Sequence, residues 1–257
     1  MTSTEPKPGS ETDRVFSQLA ADILRGSYKP GVQLPDEQAL SDRLKVGRPR
    51  VRAAFKRLSR LGLVEISPEG TKVLDYRERA GLDLLELLAG HLSGGADTAA
   101  FWLALLEVRA NINVDVARLC AQRANRATRQ EIQALSQQMR AATDEATLYS
   151  LQLRFWRAVQ EGSNNVVHRL VFNSMLKAVL AMGVQAQSWG AREARRAGFH
   201  VDIADAIAAA DADRAEQLTR DAMIAGMEDF RRSVRTLRTG DVSEKRSRTL
   251  RNATKKS

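Results

Sequence analysis

A chain of 257 residues, 43% of them hydrophobic, holds enough apolar material for one large domain or for a small one joined to a medium one. Its 40 Lys and Arg outnumber its 31 Asp and Glu, and the net charge of +9 favours a polyanionic partner without specifying one. Cys120 is the single cysteine, which excludes an internal disulfide and a cysteine-rich zinc site. The opening MTSTEPKPGSETD has neither the cationic start nor the apolar run of a secretory signal, and no stretch approaches the roughly 20 apolar residues that cross a bilayer. A cytoplasmic protein without a membrane partner is expected.

Residues 1–10 carry two prolines and a glycine and read as a flexible tail. From Thr12, the spacing of Val15, Leu19, Ile23 and Leu24 predicts a helix ending at Gly26, and SYKPG then reads as a turn. In LPDEQALSDRL, Asp36 is placed to cap a helix whose buried side is Leu40 and Leu44. Val46 and Gly47 form a tight connection to a second helix from about Arg48 to Leu61, with Val51, Ala54, Phe55 and Leu58 inward. Pro49 falls in the first turn of that helix, where its missing N–H has no partner to lose. LVEI, SPEG and TKVLDY follow as two short extended runs around a turn, a hairpin. Helix, helix, turn, helix and hairpin is the order of a winged helix-turn-helix, here assigned to 11–76.

The remainder predicts helices almost throughout. Leu82, Leu84, Leu85, Leu87 and Leu88 open one, and a break at Ser93 to Gly95 precedes a long run at 101–126. Further runs fall at 129–142, 147–161, 165–183, 184–197, 201–210 and 213–237. No proline follows Pro68, and hardly any segment alternates with period two. The expected fold is therefore mainly α, with the winged helix-turn-helix followed by an all-helical, effector-binding and dimerising bundle at 77–237. Residues 238–257 are basic and nearly devoid of large apolar side chains, and are expected to be disordered.

Between Arg43 and Arg60 lie eight Lys or Arg and no acid, on a segment whose apolar positions still recur at helical spacing. Such a helix buries one face and offers cations on the other, as contact with nucleic acid requires. Arg48 and Arg52 share a face that Lys56 extends by a turn, while Arg50 points away. Base readout is expected from Arg48 and Arg52, and phosphate anchoring from Arg43, Lys45 and Lys56. Gly70 and Lys72 stand where a wing approaches the backbone or the minor groove.

The run from Ile23 to Val73 resembles the DNA-binding half of the GntR family of bacterial transcription regulators. It carries that family's turn at Pro30-Gly31, Leu34-Pro35 followed by Glu37, Arg48 and Arg52, and Gly62-Leu63 before the wing. Two positions depart from the family pattern: Gly47 replaces the usual small hydroxyl residue, and Gln38 stands where many members place an arginine. The resemblance implies a two-fold homodimer on double-stranded operator DNA, with an altered operator preference.

Glu107-Val108-Arg109 and LQLRFWRAVQEGSNN resemble the helical effector domain of the fatty-acid regulator (FadR) branch of that family. There the latter segment supplies an aspartate and a histidine to a metal. Here those positions fall on Gln152 and Trp156; His200 matches a third ligand, and the fourth falls near Asp221 to Ala222. Neither an indole nor a neutral amide is an ordinary ligand for such an ion, so no metal and no cofactor are expected.

GLDLLELLAG and EVRANINVDVAR resemble the metal-free, fatty-acid-responsive branch, which implies a long-chain acyl-CoA effector and control of lipid metabolism. Phe101, Trp102, Phe155, Trp156, Phe172, Met175, Met182 and Trp189 could line its tunnel, with Arg109 or Arg154 at a polar end and His200 beside the pocket. These side chains also suit ordinary interhelical packing. Another organic acid as effector, or an architectural DNA-binding protein without one, are the alternatives. No G-x-S-x-G, G-x-x-x-x-G-K or H-E-x-x-H element points to an enzyme.

Overall fold

The computed structural model describes residues 10–92, 95–183 and 198–253. The tail at 1–9, the helix expected at 184–197 and Trp189 lie outside them. Two compact units divide the chain at His91 and Leu92.

The first unit begins with α1 (Glu11–Leu24), started by a reciprocal cap between Ser10 and Asp13. Helix α2 (Glu37–Leu44) starts at Asp36, whose carboxylate accepts from the Ala39 N–H at 2.7 Å, and α3 (Arg48–Arg60) follows after a three-residue turn. Lys45 takes the left-handed conformation that ends α2, and the Ser41 hydroxyl donates to the Val46 carbonyl at 2.6 Å to hold the turn closed.

Strands β1 (Val64–Ser67) and β2 (Gly70–Val73) pair antiparallel, with Val64 opposite Val73 and Ser67 opposite Gly70. On its other edge β2 binds the loop before α2: the Gly31 N–H donates to the Val73 carbonyl and the Leu34 N–H to that of Thr71, both at 2.8 Å. The wing is thus anchored to the helix-turn-helix through backbone bonds. Val15, Leu19, Leu40, Val51, Phe55, Leu58 and Leu63 form the core beneath it.

A short helix α4 (Tyr76–Arg79), a 3-10 turn (Leu82–Leu84) and α5 (Leu85–His91) complete this unit. Leu84 is 2% exposed within the same core, and Leu87 and Leu88 pack against it. The leucines expected to open the bundle therefore belong to the DNA-binding unit, which runs some fifteen residues beyond 76.

The second unit is helical among its described residues, with α6 (Gly95–Arg123), α7 (Arg126–Ala141), α8 (Glu145–Gly162), α9 (Val166–Ala181), α10 (Gly198–Ala208) and α11 (Ala212–Ala253). Asn125, Asp144 and Asn165 cap α7, α8 and α9. Helix α6 packs along α11 and against α8, α9 and α10, while α7 lies on α8 and α10. The Arg129 guanidinium donates to the carbonyls of Ala121, Ala124 and Ala208, so one side chain of α7 satisfies the C-terminal ends of α6 and α10. Helix α11 continues through Ala253, beyond the Leu237 at which it was expected to end and into the segment expected to be disordered. Ala, Arg, Lys and Leu favour a helical backbone even where no core awaits it.

Candidate nucleic-acid interface and effector site

Helix α3 buries Val51, Ala54, Phe55 and Leu58 and exposes Arg48, Arg50, Arg52 and Lys56, so the division expected from its periodicity is realised. The cations on it are held differently. Arg52 donates through Nε and Nη2 to the two oxygens of Glu37, at 2.8 and 2.7 Å, bridging the two helices of the motif. This hydrogen bond holds the Glu37 carboxyl below its ordinary range and raises Arg52, with the Arg48 charge adding a smaller effect on Glu37. Arg50 turns away, as its helical phase requires, to pair with Glu11 at 2.7 Å.

Arg57 pairs with Asp13 at 2.6 Å and lies 4.0 Å above the Phe16 ring, which fastens α3 to α1. Arg43 donates to the Tyr28 hydroxyl at 3.2 Å, and Lys45 is exposed in the turn. Gln38 is bonded to Asp42 on its own helix, at 3.0 Å. Gly47 caps α3 with extended backbone and contributes no side-chain bond. On the wing, Lys72 is exposed, and Gly70 has φ +131, where a Cβ would run into the Gln33 side chain. The Glu37 and Asp13 partnerships were not expected from the sequence: they join residues 15 and 44 positions apart.

The effector candidates scatter more widely. Phe155 and Trp156 lie in the main bundle core with Phe172 packed against it, while Trp102 sits with Phe230, Val179 and Met182 in a separate cluster. Met175 is buried on α9 and Phe101 is half-buried on α6. Arg154 is exposed, lining a surface groove with Thr147, Ser150 and Leu151 of α8 and Gln138 and Ala142 of α7.

His200 is buried on α10, its ring 5.1 Å from that of Phe155 and 6.3 Å from that of Trp156 in edge-on contacts. Arg109 and Asn113, one turn apart on α6, approach the Met223 sulfur of α11 at 3.7 and 3.9 Å. Gln152, Trp156 and Gln160 share one stripe of α8, each no more than 4% exposed.

The residues at the metal-ligand positions do not suit an ion. Trp156 offers only an N–H, Ala222 has no ligand atom, and among the described residues no group of three or more His, Cys, Asp or Glu is placed to hold a metal. Asn113 and Gln160 were not singled out from the sequence. The only available signal was a polar residue at a core phase of an otherwise apolar helix.

Residues 11–73 match the model of "Bacterial regulatory proteins, gntR family", and residues 104–225 match the FCD domain. The HTH-type transcriptional regulator Mce2R of Mycobacterium tuberculosis is 33% identical over 213 residues, spanning 82% of this chain and 88% of that protein. The chain belongs to the GntR family. As a transcription regulator of that family, with an FCD-type second domain, it is not an enzyme.

The fatty acid metabolism regulator protein of Serratia proteamaculans is 31% identical over 156 residues, 60% of this chain and 62% of that one. A solved structure titled for Lar, which controls the Listeria monocytogenes agr system, superposes with a TM-score of 0.54 at 15% identity. It covers 88% of this chain and 99% of its own, a likeness of fold. Among the described residues no helix is long and apolar enough to cross a membrane.

Proposed function

We propose that this GntR regulator is a homodimeric repressor that reads a near-palindromic operator through α3 and is released by a small molecule bound in its helical domain. The observation that carries the reading is the Glu37–Arg52 fork. It fixes an exposed arginine at the second turn of the recognition helix, where a guanidinium can donate two parallel bonds to guanine. Arg48 shares that face and is assigned the second base contact. Arg43, Lys45 and Lys56 are assigned to phosphates, with Gly70 and Lys72 at the wing. Arg50 serves the α1–α3 packing through Glu11 as much as the DNA.

Two-fold symmetry follows from the operator: two recognition helices one helical turn apart need two copies of the chain. In the helical domain, Arg109, Trp156 and His200 are the assigned effector contacts. Differential affinity of the effector for the released arrangement lowers DNA affinity.

A second reading makes the effector a long-chain acyl-CoA and the regulated genes those of lipid metabolism. Its support is the likeness to the fatty acid metabolism regulator and the apolar Trp102 cluster, with Phe155 and Met175 elsewhere in the same unit. A mobility-shift titration on the protein's own upstream DNA at fixed salt, with acyl-CoAs of increasing length, tests it. Release that strengthens with chain length supports it, and no release at any length removes it while leaving the regulator in place.

A further inference from the structure

We propose that Gln152, Trp156 and Gln160 of α8, together with Asn113 of α6, form a metal-free binding site for a compact, hydroxyl-rich molecule. The proposal rests on the reading of the helical domain as the effector domain and names the class of effector.

Five polar atoms of these four side chains are buried and have no hydrogen-bond partner in the protein: Asn113 Oδ1, Gln152 Nε2, Trp156 Nε1 and both amide atoms of Gln160. The side chains are 1%, 4%, 4% and 1% exposed. Buried polar groups are almost always bonded, because leaving one dry forfeits its hydration with nothing in return. Five such atoms in one unit mark a place that something else fills. They are also gathered: three lie along one stripe of α8, and Trp156 meets His200 of α10 edge-on. Asn113 comes from α6, which packs on α8, and approaches Met223 of α11. Four helices therefore supply the surroundings.

The inventory of these atoms selects the ligand. Trp156 can only donate, and the free end of the Gln152 amide donates. Gln160 offers one donor and one acceptor, while Asn113 offers an acceptor. A divalent cation binds acceptors alone and would be repelled by the indole and amide N–H groups. An acyl chain satisfies none of the five, and a bare carboxylate leaves the Asn113 and Gln160 carbonyls unmet. A hydroxyl both donates and accepts, so a small molecule bearing several of them serves both kinds of atom. Ordered waters serve them in the resting state and are displaced on binding.

Titration calorimetry on the full-length, EDTA-treated protein tests this, with myo-inositol and sodium gluconate as neutral and acidic hydroxyl-rich probes and palmitoyl-CoA as the contrary one. Saturable binding of inositol or gluconate at or below about 10 mM is expected, weakened at least about tenfold by Gln160→Met and by Gln152→Met at unchanged circular dichroism. Absence of binding by both hydroxylated probes, or affinity unaffected by both substitutions, overturns the proposal, as does palmitoyl-CoA binding alone. Operator binding by the same preparations is read separately: its loss refutes the regulator, whereas failed calorimetry with intact operator binding refutes only the ligand class.

Discussion

Removing the Glu37 carboxylate while leaving Arg52 in place isolates what the fork does. A guanidinium has five N–H donors, and Glu37 takes two of them, on the Nε and Nη2 side, at 2.8 and 2.7 Å. The edge between Nη1 and Nη2 stays available, and it presents the parallel pair that fits guanine O6 and N7. Without Glu37 the side chain regains its rotamers, and the site loses a negative charge close to the phosphates. Glu37→Ala is therefore expected to lower discrimination against a substituted guanine by about tenfold, while affinity for unrelated DNA holds or rises.

Arg52→Ala should remove both the contact and its specificity, costing about one to two orders of magnitude in operator affinity. Competitive fluorescence-anisotropy titrations at fixed salt measure both quantities. Equal discrimination by wild type and Glu37→Ala would refute the positioning role.

The pH dependence has a defined sign. The folded Glu37 carboxyl titrates below its ordinary value of 4.5, because Arg52 bonds its charged form. Its contribution is complete above that value and is lost only as pH falls through the lowered one. Discrimination at this base pair should consequently stay flat from about pH 8 down to about pH 5.

Four further outcomes follow from the same geometry. Gly62→Ala should destabilise the DNA-binding unit by more than about 1 kcal/mol in urea unfolding, because Gly62 has φ +70 and a Cβ there would stand 2.7 Å from the Arg79 carbonyl oxygen. Gly47→Ser should stabilise it by a few tenths of a kcal/mol, roughly, since the extended N-cap backbone is kept and a Cβ meets nothing nearer than 3.6 Å. Lys56→Ala should weaken binding uniformly across DNA sequences and reduce the log–log salt slope by about 1, unlike Arg52→Ala. Burial pushes the Cys120 thiol up to about 12, so an aromatic disulfide reagent at pH 8 should modify it only after unfolding. Rapid modification of the native protein would contradict its place in the core.

Much of the first unit is legible in the chain because its signals are local. Asp36 caps the helix it was expected to cap, and the buried residues of α3 are the four its periodicity selects. The extent of the unit was not legible. Leu84, Leu87 and Leu88 announce a helical segment, yet their spacing cannot say which of two cores receives it. Partnerships across the fold are hidden for the same reason. Arg52 and Arg57 read as bare cations until α2 and α1 bring Glu37 and Asp13 beside them. In the bundle, Gln152 and Trp156 drew notice as substitutions in a familiar pattern. Gln160 and Asn113 did not, because one amide in a helix resembles any other until four helices close around it.

The central claim, a regulator that selects one operator, is tested most directly by measuring full-length protein on its own upstream DNA against unrelated duplex at one salt concentration. A preference of about a thousandfold or more, lost in Arg52→Ala, is the predicted result. Similar affinity for both duplexes would contradict it and leave an architectural DNA-binding protein in its place.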